Sequence, residues 1–140
     1  MLRLFFGPLQ VVSCQAGQVN RDLAGEDVAV IVMRGRGGRT VMLDGNISAA
    51  GYAPLPVDRL EITGSRGTIV YDADRLYQIG SAEPPLIYDL AKNYQICFSS
   101  AIQDFVRGLR TGQPFETDRL DNLETLALME SCYVAAGIPF

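Results

Sequence analysis

The chain has 140 residues, 48% of them apolar, and a formal net charge of −4. This is the size and apolar content of one globular domain, and the acidic balance argues against nucleic acid, whose phosphates require a basic surface. There is no histidine, which removes Ser-His-Asp and Cys-His machinery, imidazole bases and most zinc sites together.

Of the twelve basic residues only Lys92 is a lysine, so any lysine chemistry rests on it. Cys14, Cys97 and Cys132 are odd in number and far apart. They read as free, mostly buried thiols of a reducing cytoplasm, inert because burial suppresses the thiolate. The longest apolar run, Val28 to Met33, is far short of the ~20 residues of a membrane span. Residues 1–6 are too short an apolar run, stopped by Gly7-Pro8, for a signal peptide.

The first two-thirds reads as strands. Residues 10–14 (QVVSC) form a short apolar strand, and 20–26 (NRDLAGE) a polar turn region. Residues 27–34 (DVAVIVMR) are β-branched and apolar on both faces, the pattern of a strand buried on both sides. A GRGG turn at 35–38 leads into a strand over 39–50, with Asp44-Gly45-Asn46 as an expected bulge or bend. Residues 51–57 form a loop punctuated by two prolines. A tight meander follows: RLEIT at 59–63, GSRG at 64–67, TIVY at 68–71, Asp72-Ala73-Asp74, and RLYQI at 75–79. Connections this short force antiparallel pairing.

After a proline-rich loop over 81–90, Phe98, Ala101, Ile102, Phe105, Val106 and Leu109 recur at helical spacing, predicting a helix over 94–110 that Gly112 and Pro114 end. A second helix is predicted over 118–136, with Thr117 or Asp118 as N-cap and Gly137 and Pro139 at its end. The whole, residues 1–140, is therefore expected to be a single α+β domain: a mostly antiparallel open-faced sheet with helices packed on one face.

Few residues point to chemistry. Arg34, Arg36 and Arg39 surround glycines, yet phosphate loops lie between a strand and a helix, and this one joins two strands. It reads as a hairpin turn, and GSRG likewise. Asp72 and Asp74, with Asp44, lack the spacing of a calcium loop and read as turn formers, so no metal site is expected. Asp89, Lys92, Asn93 and Tyr94 cluster at a helix entrance, where polar residues line pockets or cap the helix. They are the candidate substrate-facing residues. No catalytic and no cofactor-binding residue is identified.

Three stretches, in order, carry a resemblance: DVAVIVMRGRGGRTVMLDGNISA, then RLEITGSRGTIVYD, then AIQDFVRGLRTGQPFETDRLDNLETLALMESCYVAAGIPF. Together they resemble the C-terminal domain of the Gfo/Idh/MocA family of NAD(P)-dependent oxidoreductases. One departure is Val134-Ala135-Ala136, where the family often has Ser-Ala. The resemblance implies a parent enzyme about twice this length, with a Rossmann domain that binds NAD or NADP, a catalytic Lys in a Glu-Lys-Pro motif, and a catalytic Asp and His. None of these maps onto this sequence.

The opening MLRLFFGPLQVVSC resembles the end of the helix that carries that His and the strand after it. This implies a chain that starts downstream of the catalytic residues, through a truncated gene or a misplaced start codon. The resemblance thus implies the substrate-side and assembly domain of a sugar- or polyol-type dehydrogenase, inactive by itself and without a cofactor of its own, located in the cytoplasm with no membrane or nucleic-acid partner. The alternative is a stand-alone, non-catalytic oligomerisation or small-ligand-binding module. Either way a homo-oligomer is expected. Val28, Val30 and Val32 form one apolar row and Ala29, Ile31 and Met33 the other; two helices on one side leave one row for a partner's sheet or the Rossmann domain.

Overall fold

The computed structural model describes residues 2–52, 57–116 and 118–139. Its elements are α1 (Leu2–Phe6), β1 (Gln10–Gly17), β2 (Val28–Arg34), β3 (Thr40–Asn46), β4 (Arg59–Gly64), β5 (Gly67–Asp72), β6 (Arg75–Gln78), β7 (Leu86–Ile87), α2 (Leu90–Thr111) and α3 (Arg119–Ala136). The expected α+β class holds. The strands form two antiparallel sheets, β1-β2-β3 and β4-β5-β6-β7. The chain divides into two compact units, Met1–Gly51 with Thr117–Phe140, and Tyr52–Glu116. The proline loop at 53–56 and the alternative cap Thr117 lie outside the described residues.

In the first unit β2 is the central strand. Its register with β3 runs unbroken from Val28 opposite Asn46 to Arg34 opposite Thr40. The expected bulge at Asp44-Gly45-Asn46 is therefore absent. The irregularity lies in β1, between Val11 and Ser13, and it turns the rest of that strand so that Cys14 shares a side with Ile31. Paired residues share a face, so Cys14 and Ala16 line up with Ala29, Ile31 and Met33, and these with Val41 and Leu43. α3 packs against β1. The half-buried residues of α3 include Asp121, Leu128, Cys132 and Ala136, three to four apart or a multiple of it, one stripe of a helix. Cys14, Met33 and Val41 are the buried apolar side chains described in this unit.

Two polar ties close it. Asp27, 3% exposed, accepts from the amides of Val19 and Asn20, both at 2.7 Å, and from the Ser48 hydroxyl. Its backbone joins in: the Asp27 amide donates to Gly17 O at 3.0 Å and the Ile47 amide to Asp27 O at 2.9 Å. One carboxylate thus gathers the β1–β2 loop and the end of β3. Those hydrogen bonds, Ser48 first, hold its pKa below the usual aspartate value against the opposing effect of desolvation. At the other end Arg3 donates to Asp121 Oδ1 at 2.6 Å, to Asp121 O and to Thr125 Oγ1, both at 2.8 Å, and it pairs with Glu124. This pins α1 to the first turns of α3.

The second unit holds the meander and α2. Val70 in β5 is fully buried. Across β4 and β5, Arg59 pairs with Asp72 at 2.8 Å and Thr68 donates to Thr63 at 3.3 Å, the cross-strand contacts that set register. β7 was not legible in the sequence: two residues after Pro85 are too short to show a period. α2 begins at Leu90, four residues earlier than expected, because Asp89 supplies the cap. At its far end Gly112 is left-handed at φ 68° and its amide donates to Gly108 O. The chain then folds back over the helix. Phe115 meets Phe105 edge-on at 5.3 Å. Asp104 accepts from the Glu116 amide at 2.8 Å and from Arg107, and these bonds lower its pKa. A Cβ on Gly108 would stand 3.0 Å from both Gln113 O and Phe115 Cδ1, so this close crossing favours glycine.

Two outcomes are expected. Asp27→Asn lowers the thermal midpoint by several degrees at neutral pH. Because the folded pKa of Asp27 is depressed, its contribution is full above the unfolded value of about 3.9 and is lost as pH falls through the lower folded value. Melting curves from pH 7 down to pH 2 should show the wild-type advantage over Asp27→Asn shrinking in that acid window. Gly108→Ala should destabilise by about 1–3 kcal/mol through overpacking, against the gain of roughly 0.5–1 kcal/mol that alanine brings to an open helix position. Chemical denaturation reads the difference, with Gly17→Ala as comparison, where a Cβ meets nothing within 4 Å.

Candidate functional site

The helix entrance proves to be a cap with two polar neighbours. The Asp89 carboxylate accepts from the Lys92 amide at 3.0 Å, and the Asp89 carbonyl accepts from the Asn93 amide at 2.9 Å. Asp89 is therefore occupied with helix structure. Lys92 is exposed, Asn93 half-buried, and Lys92 has no carboxylate partner among the described residues. Tyr94 departs from the group. At about 100° per residue it lies some 200° around the helix from Lys92, where it meets Phe98 edge-on at 4.9 Å and heads the stripe of Phe98, Ile102, Phe105 and Leu109. That stripe is exposed, with Ile102 at 63% and Leu109 at 68%.

The six apolar positions of β2 separate by face. Met33 is 3% exposed and shares its side with Ile31, Ala29 and Cys14. Val28, Val30 and Val32 share the opposite side with Met42, Asp44 and Asn46 of β3. There Val30 is 42% exposed and Met42 70%.

Two open grooves lie in the second unit. One, about 740 Å³, runs between the β5–β6 turn and the loop after β6, with Asp72, Asp74, Arg75, Gln78, Ser81 and Glu83 in its walls. The other, about 620 Å³, lies along α2 beside Cys97, Ser100, Asp104 and Arg107. Cys97 is exposed, against the expectation of a buried thiol, because α2 is exposed along most of its length, its apolar stripe included. Among the described residues no three carboxylates or thiols stand close enough to hold a metal ion, and no helix is long and apolar enough to cross a membrane.

A nicotinamide dinucleotide does not fit the residues present. Its pyrophosphate needs the free amides of a helix start after a glycine loop. Here the GRGG segment joins β2 to β3 and GSRG joins β4 to β5. Both long helices start under a carboxylate of this chain: Asp89 on α2, and Asp118, which accepts from the amides of Leu120 and Asp121, on α3. An anionic cap repels a second anion.

Asp27, Arg3 and Asp104 organise both units, and sequence reading passed over all three. Single charged residues carry no periodicity, and only the fold shows which of them is enclosed.

Residues 1–70 match the family model described as GFO/IDH/MocA C-terminal domain. The chain belongs to that family. Over 96% of its length it is 29% identical to a D-apiose dehydrogenase of Paraburkholderia graminis and 29% identical to another of Rhizobium rhizogenes, spanning 39% and 43% of those proteins. It thus spans about two-fifths of the curated relatives it matches. Among solved structures, an oxidoreductase from Agrobacterium radiobacter in complex with NAD+, L-tartaric acid and magnesium superposes with a TM-score of 0.79 at 28% identity, over 96% of this chain and 43% of that one. The WlbA dehydrogenase from Bordetella pertussis, in complex with NADH and UDP-GlcNAcA, shares the fold with a TM-score of 0.79 at 22% identity, over 97% of this chain and 42% of that one.

Asp89→Ala should cost about 0.5–2 kcal/mol by removing the α2 cap, and Asp89→Asn much less. Amide exchange over residues 90–93 checks this. Protection lost in the alanine variant and kept in the asparagine variant identifies the residue as a cap.

Proposed function

We propose that this chain is the substrate-side and assembly part of an NAD(P)-dependent dehydrogenase that moves a hydride between the nicotinamide and a sugar, polyol or related hydroxy compound. Two D-apiose dehydrogenases and an oxidoreductase holding L-tartaric acid among its relatives favour a small polyhydroxylated substrate. The dinucleotide and the catalytic Lys, Asp and His belong to a Rossmann domain. This chain's own offer to the substrate is Lys92, as a cation and hydrogen-bond donor, with Asn93 beside it. Asp89 acts through the cap and Tyr94 through the apolar stripe. Alone the chain neither binds the dinucleotide nor catalyses, and its unpaired thiols suit the cytoplasm.

The observation that carries the reading is apolar surface left without a cover. α3 is packed on one side, yet Leu120, Leu123, Met129 and Val134 are 61%, 59%, 48% and 71% exposed. Large apolar residues on more than one side of a helix call for more than one packing partner. The α2 stripe and the row of Val28, Val30, Val32 and Met42 add to it. In this reading the valine row meets the sheet of a second copy, and the helix surfaces meet the Rossmann domain. Burying each large side chain of the row contributes about 1.5–3 kcal/mol, enough across a sheet face to outweigh the cost of association.

Light scattering at about 100 μM, far above the Kd of a standard interface, should give a mass of two chains or more. Val30→Glu should reduce it to one chain with the circular dichroism kept, whereas Ile31→Glu, on the row shared with Met33, should unfold the first unit. A single-chain mass for wild type refutes the assembly. Titration calorimetry with NAD and NADP should show no binding below about 1 mM. A low-micromolar Kd, about −8 kcal/mol, refutes the division of labour.

A further inference from the structure

We propose that Cys14 and Cys132 form an oxidisable pair, and that their conversion to a disulfide ties the last helix covalently to the first strand. Two observations place these residues on facing surfaces of one packed layer. Cys14 is the one buried residue of β1, on the row that continues through Ile31 and Leu43. Cys132 lies in the α3 stripe with Asp121, Leu128 and Ala136, half-buried, and α3 packs on β1. The neighbouring Cys14 thiol, after burial, raises the pKa of Cys132, as expected for two thiols on the facing sides of a packed helix and strand. Both are free thiols, as is the exposed Cys97, which lies in the other unit.

The oxidant is a peroxide. The Cys132 sulfur, the more accessible of the two, attacks one oxygen of hydrogen peroxide. The O–O bond breaks, the first water leaves with the thiol proton, and a sulfenic acid remains. The Cys14 sulfur then attacks the Cys132 sulfur. The S–O bond breaks, the second water leaves with the Cys14 proton, and the S–S bond forms. Two thiols are oxidised by two electrons and one peroxide is reduced to two waters. Burial and the neighbouring thiol keep Cys132 protonated, so the reaction is slow and spares the pair from weak electrophiles.

The bridge would close a loop of more than 100 residues, which removes much of the unfolded chain's freedom. It would also hold α3 over the inner row of the sheet. Oxidation therefore stabilises the unit that carries the valine row.

The test uses the full chain and its Cys97→Ser variant, neither of which alters the pair. Each is treated with hydrogen peroxide under native conditions, then denatured, alkylated and mapped by mass spectrometry. The expected result is the loss of two hydrogens, a crosslinked peptide pair containing Cys14 and Cys132 in both proteins, and a thermal midpoint raised by about 10 °C or more that dithiothreitol reverses. Cys132→Ser should show neither crosslink nor shift. The proposal is overturned if Cys14 and Cys132 remain alkylatable after peroxide has oxidised Cys97. It is equally overturned if the only crosslink joins two chains through Cys97, or if the bridged form melts no higher than the reduced one.

Discussion

Successive residues of a strand point to opposite sides of the sheet, and β2 is apolar on both. The first unit has one long helix to offer it. α3 packs on β1, and on the side that Cys14 shares with Ile31 the row closes over Met33 and Val41, 3% and 4% exposed. The opposite row stays open. A strand built this way has a free energy only half collected by its own chain. The same holds for α3, whose outward leucines, methionine and valine face away from the stripe it shares with the sheet. This open apolar surface is what the proposed assembly would cover.

What the chain secures internally, it secures with charge. Asp27 holds two backbone amides and a hydroxyl, Arg3 reaches two carboxylates, a carbonyl and a hydroxyl of α3, and Asp104 fastens the return of the chain over α2. Each makes two or more hydrogen bonds, and for the buried Asp27 these are what let a charged group sit inside the fold. They stand at segment ends, where the backbone has donors and acceptors without ladder partners. Exposed apolar rows and structural ties are therefore divided by chemistry: apolar rows outward, hydrogen-bonded charges at the joints.

The same division explains why so little of the chain looks like an active site. Its two glycine-rich turns are spent on hairpins, and the starts of α2 and α3 are closed by Asp89 and Asp118. Neither turn leads into an α-helix start, where a pyrophosphate would be cradled. In the proposed enzyme this part supplies surface and position, and the reactive groups come from the nucleotide-binding part. Lys92 and Asn93 stand ready at a helix entrance, but their role is set by what faces them.

The residues alone determined the class, the antiparallel meander, the position of α3 with Asp118 at its start, and the family, because period-2 and period-3.6 patterns and turn residues act over a few neighbours. They also raised the expectation that β2 is covered on both sides, whereas in this chain one row is open, with Val30 42% and Met42 70% exposed. Only the tertiary structure decided which valine row is open, since that depends on where α3 lands and on an irregularity between Val11 and Ser13 that no local pattern announces. It split the helix-entrance cluster, giving Asp89 to the cap and Tyr94 to the apolar stripe, and it exposed Cys97 while burying Cys14 and half-burying Cys132. It singled out Asp27 from sixteen acidic residues. An isolated charge has no periodicity to betray it; its burial is a property of the loops and strands that close around it.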